Sequence, residues 1–257
     1  MGLSLTVYLM VLPAVFLAGV LDAIAGGGGL LSVPAYLAAG VPPHLALGTN
    51  KFSAFFGTAV ATARYVRHGI VDLRTALVTA ACAVVGSLLG ARAVLAIDPT
   101  FLKYGLLVVI PIITLVTLRK TTLGQLQETY LISGRRRQIL VFVGGILLGF
   151  YDGFFGPGTG SFLILFFVWA LHYDFVSANG NTKVVNLSTN MAALVMFLVH
   201  GKVSFALGIP AAMCGIVGNW VGAKLVIVRG ARLIRPVFLI VLALLLGKII
   251  YDLTYDV

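Results

Sequence analysis

The sequence has little charge and almost no cysteine, and both shortages exclude classes of protein. Only 10% of its 257 residues are charged, whereas soluble domains carry roughly 25%. With 60% hydrophobic residues and a mean hydropathy of +1.07, a soluble fold is excluded. The two cysteines lie in apolar segments and provide no disulfide framework. No metal-ligand spacing, Ser/His/Asp set or phosphate-binding loop motif occurs, so we predict no cofactor, no metal and no enzyme.

Long apolar runs are the main feature of the chain. Most reach the roughly 17–25 residues that a membrane-spanning helix needs, and they do not alternate as barrel strands do. We therefore predict an all-α integral membrane protein, embedded in a lipid bilayer. The net charge of +10 comes from basic residues at segment ends, as expected of topology signals, so no nucleic acid partner is inferred. The runs are 3–21, 52–63, 75–97, 101–118, 139–155, 184–199, 205–228 and 233–250, with shorter ones at 30–40 and 160–172.

The chain contains an internal repeat. Each copy places an acid, a glycine-rich break and a lysine within apolar sequence. Secondary transporters are often built from such repeats, with the substrate site between them. We predict a first repeat over 1–120, a cytoplasmic connecting loop over 121–138 and a second repeat over 139–257. Matched positions are Gly19 with Gly149, Asp22 with Asp152, Gly26 with Gly156, Lys51 with Lys183, His68 with His200 and Cys82 with Cys214.

The distribution of basic residues predicts that the two repeats are inverted. If the segments on either side of each break cross the membrane an even number of times, the repeats are inverted; a single broken span makes them parallel. With the central loop inside, inversion places twelve basic residues inside and three outside, whereas the parallel arrangement gives nine and six. Positive-inside bias thus favours inversion with both termini outside. Each repeat then has about five helical segments, with its break near the midplane.

The glycine-rich breaks predict an anion site. Glycines let backbone N–H groups approach a ligand closely, and a helix that begins there presents unpaired donors and the positive end of its dipole. Non-helical backbone at membrane depth is tolerated where it lines a cavity. The alternative is that glycines only allow close helix packing. We favour that alternative for a small-residue pattern elsewhere, at Gly86, Gly90, Gly218 and Gly222.

Lys51 and Lys183 are the most informative charges. Each follows Thr and Asn at the head of an apolar helix, about 25 residues after its break, so a fold back can bring it beside the glycine loop. Burying a lysine in a bilayer costs at least about 2.5–3.5 kcal/mol, so a partner or a function is expected. Each lysine either clamps an anion, or reaches the headgroups, or pairs permanently with Asp22 or Asp152. The predicted substrate-binding residues are Gly26, Gly27, Gly28, Gly29, Thr49, Asn50, Lys51, Gly158, Thr159, Gly160, Ser161, Asn181, Thr182, Lys183 and Asn186.

Two roles are open for the acids Asp22 and Asp152. In a low-dielectric cavity each can carry a proton and so couple transport to the proton gradient. Alternatively each caps its break or neutralises a lysine. The second break also has more polar side chains than the first, and Asn186 and Asn190 follow Lys183 on one helical face, where they could extend the clamp. We therefore predict that the second repeat contributes more of the substrate contact.

At these residues the chain resembles the sulfite exporter TauE/SafE family, also called the toluene-sulfonate uptake permease family. The resemblance rests on residues 22–34, 46–51, 153–161 and 181–186 and covers essentially the whole chain. It implies a multi-pass secondary transporter of the bacterial inner membrane that moves a small sulfur-containing anion, such as sulfite, a sulfonate or sulfoacetate. It also implies coupling to protons.

The function predicted from the sequence is thus proton-coupled transport of a small anion by alternating access. A passive anion channel with the same central site is the alternative. A membrane enzyme is a third class, and the missing nucleophile, base and metal set argues against it. The expected partners are the anionic substrate, protons and the lipid bilayer, and a homodimer remains open.

Overall fold

The computed structural model describes residues 4–98 and 134–230, which form helices joined by short turns. The predicted all-α fold is confirmed. The apolar runs 101–118 and 233–250 and residues 121–133 of the connecting loop lie outside the described residues, and a helix already begins at Gly134. The helices are α1 Leu5–Ala25, α2 Gly29–Ala38, α3 Pro43–Arg67, α4 Leu73–Leu95, α5 Gly134–Phe154, α6 Thr159–Leu165, α7 Phe175–Val199 and α8 Phe205–Arg229. A π-helical turn, Phe166–Ala170, continues α6.

Five of these helices, α1, α4, α5, α7 and α8, are long and apolar enough to cross a membrane. The short runs predicted at 30–40 and 160–172 correspond to α2 and to α6 with its π-helical turn. Large apolar side chains stand on the outer surface, among them Leu9 and Val199, which are 68% and 77% exposed. This apolar exterior is what a helix bundle in lipid requires.

Both predicted breaks lie at glycines in left-handed backbone conformations. In the first, Gly26 has φ 71° and its N–H bonds the carbonyl of Asp22 at 2.8 Å, which ends α1 before α2 begins at Gly29. In the second, Gly156 and Gly158 have φ 86° and 81° before α6 begins. Residues other than glycine rarely adopt these angles. The glycine clusters therefore end one helix and let the chain turn into the next.

The repeats pack through their glycines, and the packing is reciprocal. The fourth helix of each repeat lies along the first helix of the other, α4 on α5 and α8 on α1. A Cβ added at Gly86 would lie 2.1 Å from the carbonyl oxygen of Ile146, and one at Gly218 would lie 2.2 Å from that of Phe16. The helix backbones are thus in direct contact. The packing role predicted for the small-residue pattern is confirmed.

The contact register gives the relative sense of the helices. The Thr62 hydroxyl of α3 donates to the carbonyl of Lys183 on α7, whereas Lys51, earlier on α3, contacts Asn190, later on α7. A later residue of α3 thus contacts an earlier residue of α7, so the two helices are antiparallel. These two helices occupy equivalent places in the two repeats. Opposite senses of equivalent helices are what inverted repeats require.

Candidate functional site

Two buried ion pairs connect the repeats at the centre of the bundle. Lys51 Nζ lies 2.6 Å from Asp152 Oδ2, and Lys183 Nζ lies 3.0 Å from Asp22 Oδ2. The four side chains are between 0% and 13% exposed. Each lysine therefore binds the acid of the other repeat and not of its own. A buried charge without a partner would cost several kcal/mol, and these pairs avoid that cost.

The two pairs differ in what else they contact. Lys51 also donates to the side-chain oxygen of Asn190 at 3.0 Å. Lys183 instead donates to the main-chain carbonyl of Asp22, the carbonyl that also accepts the N–H of Gly26. Cations commonly satisfy the last carbonyls of a helix in this way. Lys183 thus holds the end of α1, whereas Lys51 binds only side chains.

The two breaks are in backbone contact. A Cβ built on Gly26 would lie 2.2 Å from the carbonyl carbon of Gly160, and one built on Gly160 would lie 2.4 Å from the carbonyl oxygen of Gly26. The hydroxyl of Ser161 donates to the carbonyl of Ala25 at 2.9 Å and ties the start of α6 to the end of α1. Only glycine leaves room at both positions. The fold therefore brings the two breaks to one place.

A cavity of about 50 Å³ lies beside this junction. A single water molecule needs roughly 10–15 Å³ on this measure, so the cavity has room for a few waters or one small anion. Gly28 and Gly29 line it, which brings the positive end of α2 to the cavity. Its polar side chains come from both repeats. They are Asp22, Ser32, Asn50, Lys51, Ser53, Asp152, Asn186, Asn190 and Asn219.

Hydrogen bonds fix the orientation of two of these amides. The Ser32 hydroxyl donates to Asn50 Oδ1 at 2.6 Å, and Lys51 Nζ donates to Asn190 Oδ1. In each amide the oxygen is therefore already engaged, so the nitrogen carries the free donors. Ser53 donates to the main-chain carbonyl of Asn50 at 3.0 Å and supports the same turn of α3.

The structure separates the predicted site residues into two groups. Seven of them line the cavity: Gly26, Gly28, Gly29, Asn50, Lys51, Gly160 and Asn186. Both predicted acids, Asp22 and Asp152, line it as well. The others do not: Gly27, Thr49, Gly158, Thr159, Ser161, Asn181, Thr182 and Lys183. Besides Ser161 and Lys183, whose backbone bonds are given above, three in the second group bond backbone. Thr49 accepts from the N–H of Ser204, Asn181 accepts from that of Asp72, and Thr159 donates to the carbonyl of Gly156.

The sequence predicts more of the substrate contact on the second repeat, whereas most residues that line the cavity come from the first. Asn190, the suggested extension of the clamp, lines the cavity as well, and the polar lining residues that the sequence did not indicate are Ser32, Ser53 and Asn219. Asn219 could have been found from the sequence, because it is a polar residue inside an apolar helix. Ser32 and Ser53 carry no such signal, since hydroxyls are common in membrane helices. Within residues 4–98 and 134–230, no group of three or more His, Cys, Asp or Glu side chains could hold a metal ion.

A second polar cluster, which no sequence motif indicated, lies at the end of the bundle where α5 begins. Asp72 caps α4 by accepting from the N–H of Thr75, and it also accepts from the Tyr173 hydroxyl and, at 3.2 Å, from Arg137 Nη2. Burial alone would raise the pKa of Asp72, but the hydrogen bonds from Tyr173 and Thr75 and the guanidinium of Arg137 outweigh burial, so the pKa lies below its ordinary value of 3.8. The main-chain N–H of Asp72 donates to Asn181. This cluster connects the two repeats at one end only.

Comparison with known proteins identifies the protein family of the chain. Residues 11–249 match the family described as Sulfite exporter TauE/SafE. The "Probable membrane transporter protein YfcA" of Escherichia coli K12 is 38% identical over 238 residues, which are 92% of this chain and 87% of that protein. A "Probable membrane transporter protein" of Haemophilus influenzae is 37% identical over 241 residues, 92% of each chain. "Probable membrane transporter protein ORF9" of Sinorhizobium is 35% identical over 246 residues, 94% of this chain and 92% of that one. No solved structure matches.

Proposed function

Because the chain belongs to the sulfite exporter TauE/SafE family and is a membrane transporter, we propose that it moves a small sulfur-containing anion of the sulfite, sulfonate or sulfoacetate type. The membrane is the bacterial inner membrane, and transport is driven by the proton gradient. The cavity between the two breaks is the substrate site. The family description supports the substrate class, and the electrostatics of the cavity support the coupling.

The observation that carries the coupling is the ion pair of Lys51 and Asp152. It lies in the wall of the cavity, and its side chains are only 4% and 2% exposed. In this state the lysine charge is neutralised, and Asp22 adds a second carboxylate to the same wall. An anion that enters would meet no free positive charge, because Asp152 neutralises Lys51 and the Asp22 carboxylate is paired with Lys183. Like charges at close range in a low-dielectric site strongly disfavour such binding.

A proton on Asp152 reverses this balance. The neutral carboxyl no longer holds Lys51, so the ammonium group becomes available to the anion. Anion and proton therefore bind together, and loss of the proton returns Lys51 to Asp152 and releases the anion. Because each ligand favours the same state, the coupling is reciprocal. The proton gradient then sets the direction of anion movement.

Alternating access follows from two inverted repeats that rock about the junction of the breaks. The antiparallel sense of α3 and α7 supports this arrangement. Basic side chains of the described helices also gather at one end of the bundle, where α3 ends and α4 and α5 begin, and we assign this end to the cytoplasm. The described basic residues of this end are Arg64, Arg67, Arg74, Arg135, Arg136 and Arg137, with Lys224 and Arg229 where α8 ends.

The test is transport of radiolabelled sulfite and methanesulfonate into proteoliposomes with an imposed pH gradient and a clamped membrane potential. Wild-type protein should accumulate at least one of these anions above its external concentration, and a protonophore should abolish the accumulation. Asp152→Asn should keep exchange of anion for anion, since the neutral amide leaves Lys51 free. It should lose proton-driven accumulation by at least about tenfold.

Lys202→Ala is the matched control, because Lys202 is exposed in a turn and lies outside the cavity. Lys51→Met combined with Asp152→Asn removes the pair without leaving a buried charge, and it should carry no anion. Flux that follows the gradient but never exceeds it would identify a passive channel. Full proton-driven accumulation by Asp152→Asn would disprove the coupling mechanism.

A further inference from the structure

The cavity contains amide groups that the ion pairs do not use. Asn186 lines the cavity, is only 6% exposed, and its side-chain amide bonds no other group in the described part of the chain. The amide nitrogens of Asn50 and Asn190 are also without a bond there, because only their oxygens are engaged. Polar groups inside folded proteins almost always have a hydrogen-bond partner, in the protein or in water. Three amides with unbonded nitrogens in the lining of one cavity are donors available to a ligand.

The repeat shows that these amides belong to one site and not to two. The residues equivalent to Asn50, Asn186 and Asn190 in the other repeat are Thr182, Ala54 and Thr58. Around Lys183, therefore, no such set exists, and that lysine is fully buried against Asp22. The fold repeats the charges but not the amides. Charge pairing is common to both halves, whereas this set of three amides has no repeat equivalent; the unbonded amide nitrogen of Asn181, near Lys183 in sequence, lies outside the cavity.

We propose that the amides of Asn50, Asn186 and Asn190, and not the lysine, determine which anion the cavity accepts. This rests on the proposed function. An ammonium group acts as a point charge and attracts any small anion. Amide N–H groups bind only where an acceptor atom lies in the right direction. Several such donors around about 50 Å³ favour a compact headgroup with several oxygen atoms over a carboxylate, and a carboxylate over a halide.

The decisive variant is Asn186→Leu, since the Asn186 side chain bonds no other residue and the bond from Thr189 goes to its main-chain carbonyl, which the substitution keeps. The test is thermal unfolding of the detergent-purified full chain, titrated with methanesulfonate, acetate and chloride at a pH low enough for wild-type binding. Bound ligand raises the unfolding temperature according to its affinity. Wild type should prefer methanesulfonate. In Asn186→Leu the ratio of methanesulfonate affinity to chloride affinity should fall by about ten- to hundredfold, the factor for one hydrogen bond to a charged group.

Unfolding without ligand provides a second readout. Replacing an unpartnered buried amide by leucine removes a desolvation cost, so Asn186→Leu should unfold at the same temperature as wild type or higher. Asn186→Gln keeps an amide and should retain part of the preference. Ser188→Ala is the control on the same helix, because that hydroxyl bonds the carbonyl of Val184 and lies outside the cavity.

The outcomes separate the two proposals. If wild type binds no oxyanion at any pH, the proposed function fails and this inference fails with it. If wild type prefers methanesulfonate and Asn186→Leu weakens all three anions by the same factor, the proposed function stands and the amide assignment is wrong. Loss of methanesulfonate affinity with chloride affinity unchanged supports the assignment.

Discussion

Lys51 and Lys183 show how equivalent residues acquire different roles. Both pair with an acid of the opposite repeat, yet only Lys51 faces the cavity. Lys183 bonds the Asp22 carboxylate and the Asp22 carbonyl at the end of α1. In the proposed mechanism Lys183 is therefore a structural cation, and Lys51 is the cation that exchanges Asp152 for the anion.

The role of Lys183 leads to a stability prediction. Lys183→Met leaves the Asp22 carboxylate partly buried and unpaired, so it should destabilise the protein by about 3–5 kcal/mol. Adding Asp22→Asn removes the uncompensated charge and should restore part of that loss. The measurement is thermal unfolding of the purified protein in detergent, with exposed Lys202→Ala as control. Equal stability of Lys183→Met and wild type would show that the pair contributes nothing to the fold.

Asp72 gives a pH prediction outside the membrane-spanning helices. Its pKa is lower in the folded protein than the ordinary value of 3.8, after the opposing effect of burial, because Tyr173, Thr75 and Arg137 stabilise the carboxylate. The carboxylate therefore stabilises the fold fully above about pH 4, and this stabilisation is lost as the pH falls through the lowered folded pKa. At pH 7, Asp72→Ala should cost about 1 kcal/mol, the usual value of a helix N-cap.

Unfolding temperatures of Asp72→Ala and wild type, compared from pH 7 down to pH 3, test this expectation. The difference in unfolding temperature between the two proteins should become smaller as the solution becomes more acidic. A gap of constant size would mean that the carboxylate charge is not what stabilises this end of the bundle.

Residue chemistry in the sequence identified the charges of the site but not their pairing. Lysines and acids inside apolar sequence are expensive, so their importance was predictable. Which lysine meets which acid depends on how the two repeats dock, and no local pattern encodes that. The cavity side chains Ser32 and Ser53 were missed for the same reason. Their hydroxyls are ordinary in membrane helices, and only the fold brings them beside Lys51.

At the scale of elements, the glycine breaks were predictable because glycine has a direct conformational effect. Left-handed backbone at Gly26, Gly156 and Gly158 ends one helix and permits the next. Contact between the breaks could not be derived from either sequence stretch alone. It requires α1 and α5 to approach from opposite directions and stop at the same place.

Two glycines with similar backbone angles allow this contact to be tested. Gly26 and Gly40 have φ 71° and 80°, but a Cβ at Gly26 would collide with Gly160, whereas one at Gly40 would meet nothing within 4 Å. Gly40→Ala therefore measures backbone strain alone, roughly 1–2 kcal/mol. Gly26→Ala should be more destabilising by several kcal/mol, and it should also reduce transport because the added Cβ pushes α1 from α6 at the junction about which the repeats are proposed to rock. Unfolding temperature and proteoliposome flux are the two measurements, and equal effects of both substitutions would refute a functional contact.

The whole molecule is organised by exchange between the repeats. The first helix of each repeat packs on the fourth helix of the other, and each lysine binds the acid of the other. Neither repeat could therefore complete its own core or neutralise its own charges. The Asp72 cluster breaks this symmetry, because the residues equivalent to Asp72 and Tyr173 are Ser204 and Val41, which cannot form it. One end of the bundle thus has an ion pair between the repeats, whereas at the other end the N–H of Ser204 donates to Thr49 without an ion pair in the described residues.

The two ends of the bundle also differ in basic residues, and this difference predicts the orientation of the protein in the membrane. Basic residues gather at the end that contains Arg67 and Arg135, whereas Lys202 lies in the turn between α7 and α8 at the opposite end. Positive-inside bias then predicts that Lys202 faces the periplasm. In a protein with Cys82 and Cys214 replaced by alanine, Lys202→Cys should react with a membrane-impermeant maleimide in intact spheroplasts. Arg67→Cys and Arg135→Cys should react only after permeabilisation. The reverse labelling pattern would place the Asp72 cluster on the outer side of the membrane. Reaction of Lys202→Cys and Arg67→Cys from the same side would contradict the antiparallel sense of α3 and α7.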